Sequence, residues 1–89
     1  MLTIWKYPLP VENALRVDMP KDARILSVQI QGGMPCLWAL VNPDAEKERR
    51  MFSVLETGEP IESVEALTYI GTVQQSGGSY VFHLFEWKR

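Results

Sequence analysis

Two glycine pairs, Gly32–Gly33 and Gly77–Gly78, each stand between runs of β-forming residues. Paired glycines accept the positive φ that a tight hairpin turn demands, so each pair marks a place where the chain doubles back. In "ARILSVQIQGGMPCLWALVN" a two-residue turn sets Gln31 opposite Met34, Val28 opposite Leu37 and Leu26 opposite Ala39. Leu26, Val28, Ile30, Leu37 and Ala39 then share a core face. Ile25, Ser27, Gln29, Cys36, Trp38 and Leu40 share the other. In "TYIGTVQQSGGSYVFHLFEW" the same turn sets Val73 opposite Phe82 and Gly71 opposite Leu84. Tyr69, Val73, Tyr80, Phe82 and Leu84 fall on one side, with Ile70, Thr72, Gln74, Val81, His83, Phe85 and Trp87 on the reverse. A slip of one residue exchanges the two sides.

Shorter strands complete the pattern. "LTIWKY" and "ALRV" flank the proline-bearing turn Pro8–Asn13, and "RMFSVLE" follows the charged loop "NPDAEKERR". "TGEPIESVEAL" begins as a turn stiffened by Pro60. Ile61, Val64 and Leu67 are then spaced for one face of a short helical segment. The shared phrase in "VQIQGG" and "VQQSGG" needs no duplication, since polar residues commonly precede a glycine turn. The expectation is one domain over residues 1–89, mainly β or at most α+β, built from antiparallel hairpins with one short helical segment.

The last strand is apolar on both sides: Tyr80, Phe82 and Leu84 on one, Val81, Phe85 and Trp87 on the other. Burying apolar area is worth about 25 cal/mol per Å², so leaving either side in water forgoes several kcal/mol. A sheet with one wet face alternates apolar with polar residues instead. Closure into a sandwich or barrel, or a second copy of the chain, must cover both. Amide, hydroxyl, imidazole and indole groups on the second face suit an interface or ligand floor, and a homo-oligomer is expected.

Composition removes several classes. No apolar run reaches the roughly 18–20 residues that span a bilayer, so no membrane association is expected. "MLTIWKYPLP" has no basic-then-apolar leader pattern, which points away from secretion. A net charge of −2 and a pI near 5.3 lack the basic face of a nucleic-acid binder. Cys36 is the sole cysteine, so no internal disulfide forms. With the single histidine, His83, it supplies at most two metal ligands, where a site needs three or four. Hydrolysis needs a nucleophile, a base and an orienting group, and no motif joins Cys36 to His83. "QGGMP" and "SGGSY" lack the helix and lysine of a phosphate loop. The expectation is no metal, no cofactor and no enzymatic activity.

Trp5, Trp38 and Trp87 offer flat surfaces for stacking or anchoring. Arg49 and Arg50, closing the charged loop, are the candidates for an anionic ligand. The expected ligand-binding set is Trp38, Gln74, His83 and Trp87 on the second face, with Arg49 or Arg50 facing phosphate.

The phrases "IWKYPL", "ILSVQIQGGMPCLWALV" and "TGEPI…YIGT…GGSYVFHLFE" resemble a family of small uncharacterised phage and prophage proteins, along nearly the whole chain. The variable loop Asp44–Arg50 and the terminal "WKR" depart from the pattern. The resemblance brings no catalytic residues. It implies a phage accessory protein in the host cytoplasm, of a kind that blunts host immunity. One form is an oligomer that sequesters a nucleotide-derived signal; another inhibits a host defence protein such as a CRISPR or other nuclease; a third serves particle assembly. A retained small nucleotide-like ligand or a host defence protein is the expected partner.

Overall fold

The computed structural model describes residues 1–89. Gly32 and Gly33 turn the chain with φ of 61° and 81°, the geometry of a two-residue hairpin whose twist matches that of its strands. Across it pair β3 (Arg24–Gln31) and β4 (Met34–Val41), with Gln31 opposite Met34 and Val28 opposite Leu37 as the sequence predicts. β1 (Thr3–Pro8) adds to the far side of β4, giving a sheet ordered β1-β4-β3.

The second sheet holds β2 (Leu15–Pro20), β5 (Lys47–Glu56), β6 (Leu67–Gln75) and β7 (Tyr80–Trp87), in the order β2-β5-β7-β6. All pairings in both sheets are antiparallel. β6 and β7 pair Val73 with Phe82 and Gly71 with Leu84, as predicted. Their turn, however, takes four residues, Ser76–Ser79, through a 3₁₀ turn. Adding one residue to each side of the turn preserves parity, so the register survives.

The sheets pack face to face over one core, which settles the mainly β expectation in favour of closure by a second sheet. Leu15 and Met19 from β2, Leu37, Ala39 and Val41 from β4, Phe52 and Val54 from β5, and Phe82 and Leu84 from β7 form its centre. Burying a side chain of this size stabilises by about 1.5–3 kcal/mol.

One extra residue in each hairpin inverts part of the predicted pattern. Pairing of β3 with β4 shifts between Ile25 and Ser27, so Ile25 faces Ala39 and packs on the core while Leu26 turns outward. Pairing of β6 with β7 shifts between Tyr69 and Gly71, so Ile70 packs on the core and Tyr69 lies outside beside Phe85. A bulge of this kind bends the strand and increases its twist. The bulged strands meet where the sheets close, β3 against β6.

Two further expectations are corrected. Lys47 to Arg50 belong to β5, and alternation along that strand leaves Arg49 exposed and Arg50 buried. The segment after Pro60 makes only a 3₁₀ turn, Val64–Ala66; Val64 is exposed and Leu67 opens β6, so no amphipathic helix forms.

Candidate functional site

Residues 57–66 run as a strap across the outer face of the second sheet, the face that carries Ser53, Leu55, His83, Phe85 and Trp87. Thr57 N–H donates to the Val81 carbonyl (3.2 Å) at one end, and Lys88 N–H to the Ala66 carbonyl (2.8 Å) at the other. A turn at Gly58 aims the strap. Glu59 N–H donates to the Glu56 carbonyl (3.1 Å), and the Glu59 carboxylate accepts from Glu56 N–H (2.9 Å). The strap explains why Ser53 and Leu55, on an outward face, are 2% and 7% exposed.

Between strap and sheet lies a cleft of about 300 Å³. Its floor is Ser53, Leu55, Leu67 and Trp87; Asn13 and the strap residues Glu59 to Ser63 wall it. Trp87 is held in place: its Nε1–H donates to Ser53 Oγ (2.9 Å), and Ser53 in turn donates to the Asn13 carbonyl. With the indole donor consumed, the ring has only apolar and π surface to offer.

On the other flank of Leu55, Glu59 and Ile61 a second hollow, about 280 Å³, includes Thr57, His83 and Phe85 in its wall. His83 hydrogen-bonds with Thr57 through Nε2 (2.6 Å) and with Thr72 through Nδ1 (2.9 Å). Thr72 also shares a hydrogen bond with Tyr69 (2.5 Å), whose ring packs edge-on against Phe85 at 5.5 Å. Both ring nitrogens are thereby occupied by hydroxyls of the protein itself.

The electrostatics are one-sided. Glu59, Glu62 and Glu65 lie along the strap, with Glu56 at the end of β5 just before it; no lysine or arginine occurs between residues 51 and 87, and Lys88 and Arg89 follow directly.

Of the residues the sequence singled out, His83 and Trp87 share this face, one beside each hollow. Gln74 is on the same strand pair opposite Val81, near the Ser76–Ser79 turn and outside both hollows. Trp38 belongs to the other sheet, between Lys6 and Ser27. Arg49 pairs in register with Asp18. Arg50 is a correction: it cannot face a ligand, because it is 4% exposed and committed inside. Its Nε and a terminal nitrogen donate to both Glu86 carboxylate oxygens (2.6 and 2.8 Å), and the other terminal nitrogen to the Ala23 carbonyl (2.5 Å). The Glu86 hydrogen bonds raise its pKa above the usual arginine value. Cys36 is buried in β4, in the sheet that lacks His83, with its thiol near the Met34 and Gln31 carbonyls.

A family model described as a domain of unknown function, DUF7352, matches residues 1–89. The chain belongs to that family. No curated protein and no solved structure matches it.

Sequence reasoning passed over Ser53, Leu55, Glu59, Ile61 and Glu62. The signal available was charge: glutamates at 56, 59, 62 and 65 inside a stretch without a single basic residue.

Proposed function

We propose that this protein is a non-enzymatic binding module that takes a group of its partner into the strap-covered cleft. The observation that carries this reading is Trp87, an aromatic surface at the floor of a cleft of about 300 Å³ and locked there through Ser53 and Asn13. Pockets of this kind pair apolar walls with a few fixed polar groups, and buried indoles serve as anchors. The non-enzymatic part is supported by the engagement of both His83 nitrogens with threonine hydroxyls and of the Ser53 hydroxyl with Asn13. Ser53 and His83, the serine and the histidine of this face, serve separate hydrogen-bond networks.

The resemblance to phage proteins supports a setting in a host cytoplasm, with counter-defence as the role. Two forms of that reading differ in what they ask of the site. Sequestering a nucleotide-derived signal asks for cations near the phosphate, yet Arg50 is internal and Arg49 lies opposite Asp18. Inhibition of a host defence protein asks only for an anchor surface, and the acidic strap with Trp87 supplies one. We therefore favour the protein partner. We also propose that the chain self-associates through the outer face of the first sheet, where Ile4 is 56% and Leu26 44% exposed and Trp38 and Leu40 are half-buried. That patch has no covering element.

Native mass spectrometry of the protein purified from infected cells tests the scheme. The expected result is a homo-oligomer carrying a stoichiometric host protein. A retained nucleotide would favour the sequestration form instead, and recovery of a chemically altered small molecule would overturn the non-enzymatic reading.

A further inference from the structure

Resting on the reading of the cleft as a binding site, we infer that its occupant is the guanidinium end of an arginine side chain from a protein partner. The group would lie against the Trp87 indole and pair with the carboxylates of Glu59 and Glu62. Four observations converge on this chemistry.

The first is what the walls present. Glu59 and Glu62 line the cleft, and ionised carboxylates accept hydrogen bonds but donate none. The second is what Trp87 has left to give. Its indole N–H is bound to Ser53, so what the ring has left is apolar and π surface, and the negative face of an aromatic ring attracts cations, tryptophan most of all. The third is that no lysine or arginine lines the cleft. Residues 51–87 contain no lysine or arginine, and the neighbouring Arg50 is held by Glu86 in the interior. An anion entering the cleft meets the carboxylates of its own wall, and a neutral occupant gains no charge pairing with them. The fourth is size. A space of about 300 Å³ lies at the lower limit for ligand pockets, suiting one extended side chain better than a bulky cofactor.

Arginine fits better than lysine. Its planar fork of five donors spans two carboxylates while the same plane stacks on an aromatic ring, and it is less strongly hydrated than an ammonium. The strap also has freedom to adjust. Between Pro60 and Glu62 no backbone group is hydrogen-bonded to the sheet, so the wall carrying Glu59, Ile61 and Glu62 can close on a stem without breaking a strand ladder.

The test uses the full chain labelled with ¹⁵N and three probes: N-acetyl-argininamide, its neutral citrulline counterpart, and adenosine monophosphate. The expected result is a saturable displacement of the Trp87 indole N–H and the Ser53 and Leu55 amides by the arginine probe. Binding of the citrulline probe should be about ten-fold weaker. The Glu59→Gln/Glu62→Gln variant should lose a similar factor for arginine while amides of the other sheet keep their positions. The fold survives the exchange because the side-chain amide oxygen introduced at position 59 still offers an acceptor to Glu56 N–H. Equal binding of the citrulline and arginine probes would overturn the inference. So would arginine-induced shifts that map to Glu46 and Glu48 rather than to the cleft. If adenosine monophosphate alone moves the cleft resonances, the cation assignment falls while the cleft stands as a binding site. If no probe moves them, both fall.

Discussion

A β-carbon added to Gly71 would lie 2.8 Å from Cγ1 of Val28, so the two strands that close the sandwich touch at a point where only glycine fits. β6 carries its bulge immediately before Gly71, and β3 carries its own two residues before Val28. The same junction is tied at its end by Gln75, whose side-chain amide donates to the Gly33 carbonyl (2.7 Å). These contacts fasten β6, the strand paired with β7, to the first sheet.

Gly71→Ala should therefore overpack the junction and destabilise the fold by about 1–3 kcal/mol. Trimming the neighbour, in Gly71→Ala/Val28→Ala, should recover part of that loss. Urea unfolding of the four species of this cycle checks it; a single Gly71→Ala variant as stable as the parent would show that the strands part freely.

The Arg50–Glu86 pair is nearly buried, with side-chain exposures of 5% and 14%. Breaking it from one side strands a charge in the core. Glu86→Leu should cost about 3–5 kcal/mol, whereas Arg50→Met/Glu86→Leu should restore most of the stability, since apolar replacement of a buried pair is often neutral or better. Denaturant midpoints of the single and double variants decide the matter. If the double variant is as unstable as the single one, the pair contributes more than charge compensation.

Tyr7 hides its hydroxyl in the core without a hydrogen-bond partner. An unsatisfied buried polar group costs about 1–3 kcal/mol, so Tyr7→Phe should raise the melting temperature rather than lower it. Burial also pushes the phenol above its ordinary pKa, against a smaller opposing pull from Arg50. A raised folded pKa means stability that is complete below the unfolded value near about 10 and is lost as the pH rises through the folded one. The phenylalanine variant should lack this alkaline loss, which thermal melts across that range would reveal.

Glu48 accepts a hydrogen bond from Asp22 N–H (3.0 Å) and pairs with Arg89 (2.9 Å). The backbone hydrogen bond, chiefly, and then Arg89 hold its carboxyl below the usual range. The stability this contributes is present above the unfolded pKa of about 4.3 and disappears as the pH falls through the lower folded value. Glu48→Gln keeps an acceptor for Asp22 but has no proton to gain. Its stability should vary less with acid than the parent's as the pH falls below that unfolded value of about 4.3. Parallel acid curves would remove Glu48 from the account.

The hairpins were legible because turn chemistry and alternation are local. Gly32–Gly33 dictated the pairing of Val28 with Leu37, and the parity of the second turn preserved Val73 opposite Phe82 even though the turn is longer than expected. The two-sided apolar character of β7 correctly required cover on both flanks. What supplied that cover was a second sheet on one side and, over Leu55 and Ser53, the chain's own strap on the other.

By itself, the sequence determined the strand content, the hairpin registers and the need to bury both faces of the last ribbon, all of which follow from residue spacing along a few neighbouring positions. Only the tertiary structure decided which residues face where beyond the bulges, because Leu26 and Ile70 change sides to let β3 and β6 meet. It also decided the site. Arg50 goes inside because Glu86, 36 residues away, waits there to pair with it, and Trp87 becomes a cleft floor because a distant strap crosses above it. Relations of that range are set by how sheets close on each other, and no local pattern encodes them.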